Sequence, residues 1–156
     1  MKNNKIRLIA FLMILSLGAC TKARIEPDFS IYGDKAFITA VTTFDYITVT
    51  NPLNYNEPVT GYQVRGLSNT TTIDRVNFKI NVVVNNPTGT ISPSNPALDI
   101  TKMGIRLANE ATKIEPLNGA PAAGVIADFS KGPYVYRVYS ADGSQHDWTI
   151  SIARQQ

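Results

Sequence analysis

The chain has 156 residues, 44% of them hydrophobic and 17% charged, with one Cys and one His. That length supports one core of ordinary size, and a single Cys excludes an internal disulfide framework. The formal charge is +3, but three of the 15 Lys and Arg precede Cys20, so the remainder carries 12 charges of each sign and no basic footprint for nucleic acid.

Lys2, Lys5 and Arg7 form a positive start, and Leu8 to Leu17 (LIAFLMILSL) is apolar and uncharged. The run is half of the roughly 20 residues that a spanning helix needs. With the small Gly18 and Ala19 after it, the pattern is that of a secretory signal. Leu17-Gly18-Ala19-Cys20 resembles the bacterial lipobox. The resemblance implies diacylglycerol on the Cys20 thiol, cleavage before it and acylation of the new amino terminus. Several acyl chains, at about 0.8 kcal/mol per buried methylene, would make such an anchor permanent. The expected organisation is a signal peptide over residues 1–19, a lipidated tether over 20–33 and a β-sandwich domain over 34–156.

The tether is polar and contains Pro27. Beyond it, Ala36–Thr43 and Tyr46–Thr50 are rich in β-branched and aromatic residues and read as two strands. Asn51-Pro52 and Glu57-Pro58 punctuate a loop, and Val59–Arg65 is a further strand. Val76–Val84 alternates, with Val76, Phe78, Ile80, Val82 and Val84 on one face. Gly104–Leu107 is a short strand, and Asn118-Gly119 is a turn signal. Tyr134, Tyr136 and Val138 share one face of the next strand; Trp148, Ile150 and Ile152 share one face of the last. Ala141-Asp-Gly-Ser144 supplies the turn between them, with Gly143 at positive φ. Seven to nine short strands with Pro, Gly and Asn turns predict an all-β, antiparallel sandwich.

The ordered set Asp99-Ile-Thr101, Ile114-Glu-Pro116, Asp128-Phe-Ser130 and Asp142-Gly143, closed by Trp148-Thr-Ile-Ser-Ile152, resembles the immunoglobulin-like β-sandwich domains of unknown function in lipoproteins of Bacteroidetes-type bacteria. The resemblance extends over Lys35 to Ala153. It implies display in the cell envelope, often beside glycan-uptake proteins, and no catalytic residues. Surface-displayed members are often acidic after the lipidated Cys, whereas Thr21-Lys-Ala-Arg24 is basic. The membrane face therefore stays open between surface and periplasm.

His146 stands near Asp142, Ser144 and Asp147. Adjacent strand residues point to opposite faces, so a Ser-His-Asp triad is not expected there. One His and no spare thiol fall short of a zinc set. Asp142, Ser144 and Asp147 match no calcium loop. No cofactor or metal is expected, and the protein is not expected to be an enzyme. The aromatics are the better lead. Tyr55, flanked by Asn54 and Asn56 in a Pro-bounded loop, is the expected ligand-binding residue, and Tyr46, Tyr62 and Tyr139 are expected on solvent-facing strand positions. Rings stack on the C–H faces of sugars while Asn side chains meet hydroxyls. The expected function is a non-catalytic, membrane-anchored module of the outer membrane that binds a glycan or an envelope protein. Two alternatives are an accessory subunit of an outer-membrane assembly and a hydrolase with two carboxylates in a cleft.

Overall fold

The computed structural model describes residues 27–51 and 59–156. Cys20 and the loop that holds Asn54, Tyr55 and Asn56 lie outside the described residues. After a single 3₁₀ turn (Ser30–Tyr32), eight strands follow: β1 (Ile38–Asn51), β2 (Val59–Leu67), β3 (Asn69–Asp74), β4 (Lys79–Val84), β5 (Gly104–Asn109), β6 (Lys113–Leu117), β7 (Tyr134–Tyr139) and β8 (Gln145–Arg154). They form a three-stranded sheet, β2-β1-β5, and a five-stranded sheet, β3-β4-β8-β7-β6. The protein is thus an all-β sandwich, as the strand and turn pattern predicts. No helix among the described residues is long and apolar enough to cross a membrane.

The core lies between the inner faces. Trp148, Tyr136, Phe129, Ile38, Ile80, Met103, Ile105 and Ile150 are fully buried there. Each such side chain contributes about 1.5–3 kcal/mol relative to exposure. The buried polar atoms find partners: Trp148 Nε1 donates to the carbonyl of Ala36 at 3.0 Å, and Tyr136 Oη donates to that of Pro121 at 2.7 Å. Burial raises the pKa of the Tyr136 hydroxyl.

Five details differ from the pattern read off the chain, two of them strands where none is read: β3, whose Asn69–Thr72 reads as a polar connection, and β6, whose first residue Lys113 ends a stretch that hints at a helical turn. Ile38 to Asn51 is one strand rather than two, pairing β5 along its first half and β2 along its second. The alternating run begins at Lys79, because Asp74 Oδ1 accepts the backbone N–H groups of Val76 and Asn77 and closes a turn. Val76 is consequently 85% exposed, and Phe78 sits at φ 52°, a left-handed position costly for an aromatic residue. Finally, β4 and β8 pair in parallel, Lys79 opposite Thr149 through Val84 opposite Arg154. All other neighbouring strands are antiparallel.

Candidate ligand-binding face

Side chains along β1 alternate between two environments. Val41, Thr43 and Asp45 point inward and are buried. Thr42, Phe44, Tyr46 and Thr48 occupy the opposite face, by the period of two that the pleat imposes. On β2 the same outer face carries Thr60, Tyr62 and Val64, since Tyr46 pairs with Val64 and Thr48 with Tyr62. On β5 it carries Gly104, Arg106 and Ala108, opposite Phe44, Thr42 and Ala40.

Tyr46 and Tyr62 are therefore diagonal neighbours across the β1–β2 ladder. That places their rings within mutual reach. They are 53% and 80% exposed, and Val64 beside them is 41% exposed. A shallow, open cleft of about 360 Å³ lies against these two tyrosines. Phe44 continues the row, edge-on to Tyr46 with ring centroids 6.3 Å apart. It is buried but stands apart from the main core. What covers it is Gly104 beneath and the Arg106 guanidinium above, 4.5 Å from the ring centroid. A Cβ at Gly104 would lie 2.3 Å from the ring tip, so only glycine lets the phenyl ring lie down across the strand.

The inner face holds this display rigid. Asp45 is directly opposite Arg65, and the two make a bidentate ion pair, with Nε to Oδ1 at 2.9 Å. The same guanidinium donates to Asn95 Oδ1 and to the carbonyl of Pro96, each at 2.9 Å. Both partners are largely shielded from water. The hairpin is thereby clamped to the loop that follows β4. Beside the clamp, the β1 edge left free after Phe44 opens on a groove of about 420 Å³ bounded by Tyr46, Thr48, Pro93, Pro96, Asp99 and Lys102. Asp99 is held below the usual carboxylate range, first by the Thr101 hydroxyl and then by its N–H. The Lys102 ammonium lies 3.8 Å away.

Of the residues singled out in the sequence, Tyr46 and Tyr62 come together on this face, while Asn54, Tyr55 and Asn56 lie outside the described residues. Tyr139 does not join them. It lies on the outside of the five-stranded sheet, half-buried, donating to Glu115 Oε2 at 2.8 Å under the Lys113 ammonium. His146 and Asp147 diverge as strand geometry requires. His146 Nε2 meets Asp34 Oδ2 at 2.6 Å and the ring stacks on Phe78, centroids 4.1 Å apart, so it is half-buried. Asp147 turns the other way, onto Arg137. Asp142 accepts from the N–H and hydroxyl of Ser144, which is ordinary turn chemistry. Among the described residues no three His, Cys, Asp or Glu converge as metal ligands. Phe44 and Arg106 are the members of the face that the sequence did not single out. An outward alternation running unbroken from Thr42 to Thr50 is the signal that would have found Phe44.

The sandwich is similar to a crystal structure of a protein named as secreted, from Bacteroides fragilis NCTC 9343. The two share 20% identity and a TM-score of 0.63, over 83% of this chain and 100% of the other, which is a likeness of fold. No curated protein matches. A sequence profile, that of the DUF5018-related family, matches residues 38–151, from the start of β1 into β8. Covering strands of both sheets and the candidate face on the outside of the smaller one, that match shows that the chain belongs to the DUF5018-related family.

Proposed function

We propose that this protein is a non-catalytic glycan-binding module of the cell envelope, held on the outer membrane by lipid at Cys20. The observation that carries the binding assignment is the shallow cleft between Tyr46 and Tyr62, two exposed rings on a face that also carries Thr42, Thr48, Thr50 and Thr60. Flat apolar rings beside hydroxyl groups suit the alternating C–H and O–H character of a sugar. The signal and lipobox pattern before Thr21 supports the anchor, and the secreted neighbour supports a place outside the cytoplasm.

The domain boundary at residue 34 finds support in the way the chain docks there. The Ser140 hydroxyl accepts from the Lys35 N–H and donates to the Gly33 carbonyl. The sandwich is assigned to the immunoglobulin-like kind on the strength of its two packed sheets and the Asp142-Gly143 hairpin. A hydrolase is disfavoured by the carboxylates of the groove. A general acid in glycoside hydrolysis needs a raised pKa, whereas Asp99 is lowered and Asp45 is committed to Arg65.

Calorimetric titration of the full chain in nonionic detergent with a panel of oligosaccharides tests the reading. Binding is expected, and Tyr46→Ala with Tyr62→Ala is expected to remove it while leaving the thermal unfolding curve in place. Binding that survives the double substitution would sink the site. Cys20→Ser should release the protein from the membrane fraction; retention would sink the anchor.

A further inference from the structure

The outer face of the three-stranded sheet is uncharged in its described part except at one point. Its side chains are Ala40, Thr42, Phe44, Tyr46, Thr48 and Thr50 on β1, Thr60, Tyr62 and Val64 on β2, and Ala108 and Arg106 on β5. Arg106 is exposed and has no carboxylate partner among the described residues. Of the other described arginines, Arg65 is held by Asp45, Arg137 by Asp147 and Arg154 by Asn86, while Arg75, in the turn after β3, is exposed and likewise makes no ion pair. Arg106 is nevertheless not loose. Its guanidinium is laid over the Phe44 ring, and that ring is edge-on to Tyr46, so the cation stands one aromatic ring away from the tyrosine cleft. Stacking fixes the plane of the fork in advance, and the entropy of ordering a long side chain is then already spent before a ligand arrives.

We propose that the ligand of this face is an acidic glycan, one sugar stacking between Tyr46 and Tyr62 and a neighbouring carboxylate or sulfate taking Arg106. The inference rests on the glycan reading above and narrows it by charge. A planar guanidinium presents paired N–H donors that match the spacing of two oxygens on a carboxylate or sulfate. A neutral sugar leaves those donors to water. No carboxylate projects from the described face itself, and Asp99, which bounds the neighbouring groove with Tyr46, lies 3.8 Å from the Lys102 ammonium, so the charge of Arg106 stays unpaired on the face. The exposed threonine hydroxyls on β1 and β2 are available for the remaining sugar hydroxyls.

Calorimetry on the full chain in nonionic detergent tests it with three probes. Isomaltohexaose is neutral, its sulfated form carries only sulfates on the same backbone, and a galacturonate hexamer carries only carboxylates. At least one acidic probe is expected to bind about tenfold or more tighter than isomaltohexaose, the difference a charge-assisted pair supplies, and to weaken as salt rises. Which acidic probe binds separates sulfate from carboxylate. Arg106→Gln should erase the advantage, Arg106→Lys should keep part of it, and Tyr62→Ala should weaken all binding. Acidic and neutral probes of equal affinity, or acidic binding indifferent to Arg106→Gln in a protein that melts normally, would overturn the acidic class and leave the glycan reading standing. Absence of binding to every saccharide would overturn both. A dimer in sedimentation that Tyr62→Ala dissolves would identify a second copy as the occupant and overturn the proposal.

Discussion

The two outer faces of the sandwich differ in how they meet water. On the five-stranded sheet, charges stand in register across three strands: Glu115 opposite Arg137, and Arg137 opposite Asp147. Arg137 holds Asp147 through two hydrogen bonds of 2.7 and 2.8 Å, while Glu115 takes Tyr139 and Lys113. These charged groups satisfy each other. On the three-stranded sheet the row Arg106, Phe44, Tyr46, Tyr62 crosses three strands with one cation and no anion. A self-paired face gains nothing from a ligand that it does not already have. An aromatic face with a single unmatched charge does, and exposed apolar groups clustered in this way mark contact surfaces.

The largest test of the comparison lies beneath the aromatic face. If Asp45–Arg65 is what holds the β1–β2 hairpin to the body, Arg65→Ala strands a carboxylate that is only 7% exposed and frees Asn95 and the Pro96 carbonyl as well. Breaking one side of such a pair costs about 3–5 kcal/mol, a large share of the 5–15 kcal/mol typical of a domain. Denaturant unfolding should show the midpoint falling steeply. A loss below about 1 kcal/mol would mean that the hairpin is held by apolar packing alone.

A smaller effect is expected one layer out. Gly104→Ala puts a methyl into the Phe44 ring, which must swing away from under Arg106. Overpacking of this kind costs about 1–3 kcal/mol. The distinctive readout is coupling to function. The displaced ring is the one that touches Tyr46 and supports the guanidinium, so oligosaccharide binding should weaken although neither contact residue is changed. Destabilisation with unaltered binding would separate Phe44 from the site.

How much of this was legible in the chain follows from the range of each interaction. The β7–β8 hairpin was legible in full, because Tyr134, Tyr136, Val138, Trp148 and Ile150 declare their face by alternation and Gly143, at φ 92°, declares the turn. The exposure of Tyr46 and Tyr62 followed from the same rule. The continuity of β1 was not legible, since a carboxylate on the inner face at Asp45 imitates a strand end and its partner lies 20 residues away. The lost start of β4 turned on Asp74, whose carboxyl competes for backbone N–H groups that a strand would have used. Arg106 could not be placed without knowing that Gly104 faces Phe44, a register set by the whole sheet. The parallel union of β4 with β8 joins segments some 70 residues apart, and no local pattern specifies it.

The smallest expected effect sharpens the comparison from the other face, through pH. Asp147 is held below the usual carboxylate range by its hydrogen bonds from Arg137, against a smaller opposing push from burial, and then by the charge of that guanidinium. Glu115 is lowered by the Tyr139 hydroxyl and then by Lys113. A group lowered on folding contributes stability above its unfolded value, and that contribution fades as pH falls through the folded value. The ordinary values are 3.8 for Asp147 and 4.5 for Glu115, so the contribution is complete at neutral pH and declines below about pH 4. Both side chains are more than a third exposed, so solvent screening keeps the effect small. Asp147→Asn should therefore melt slightly below the parent protein at pH 7, and the gap should close on acidification. On the aromatic face, Tyr62→Ala should produce no such pH-dependent gap, because no carboxylate stands beside it. A gap for Asp147→Asn that stayed constant from pH 7 to strong acid would show that the ladder acts through packing of the Arg137 stem rather than through charge. The contrast between a self-neutralised face and a receptive one would then rest on the aromatic side alone.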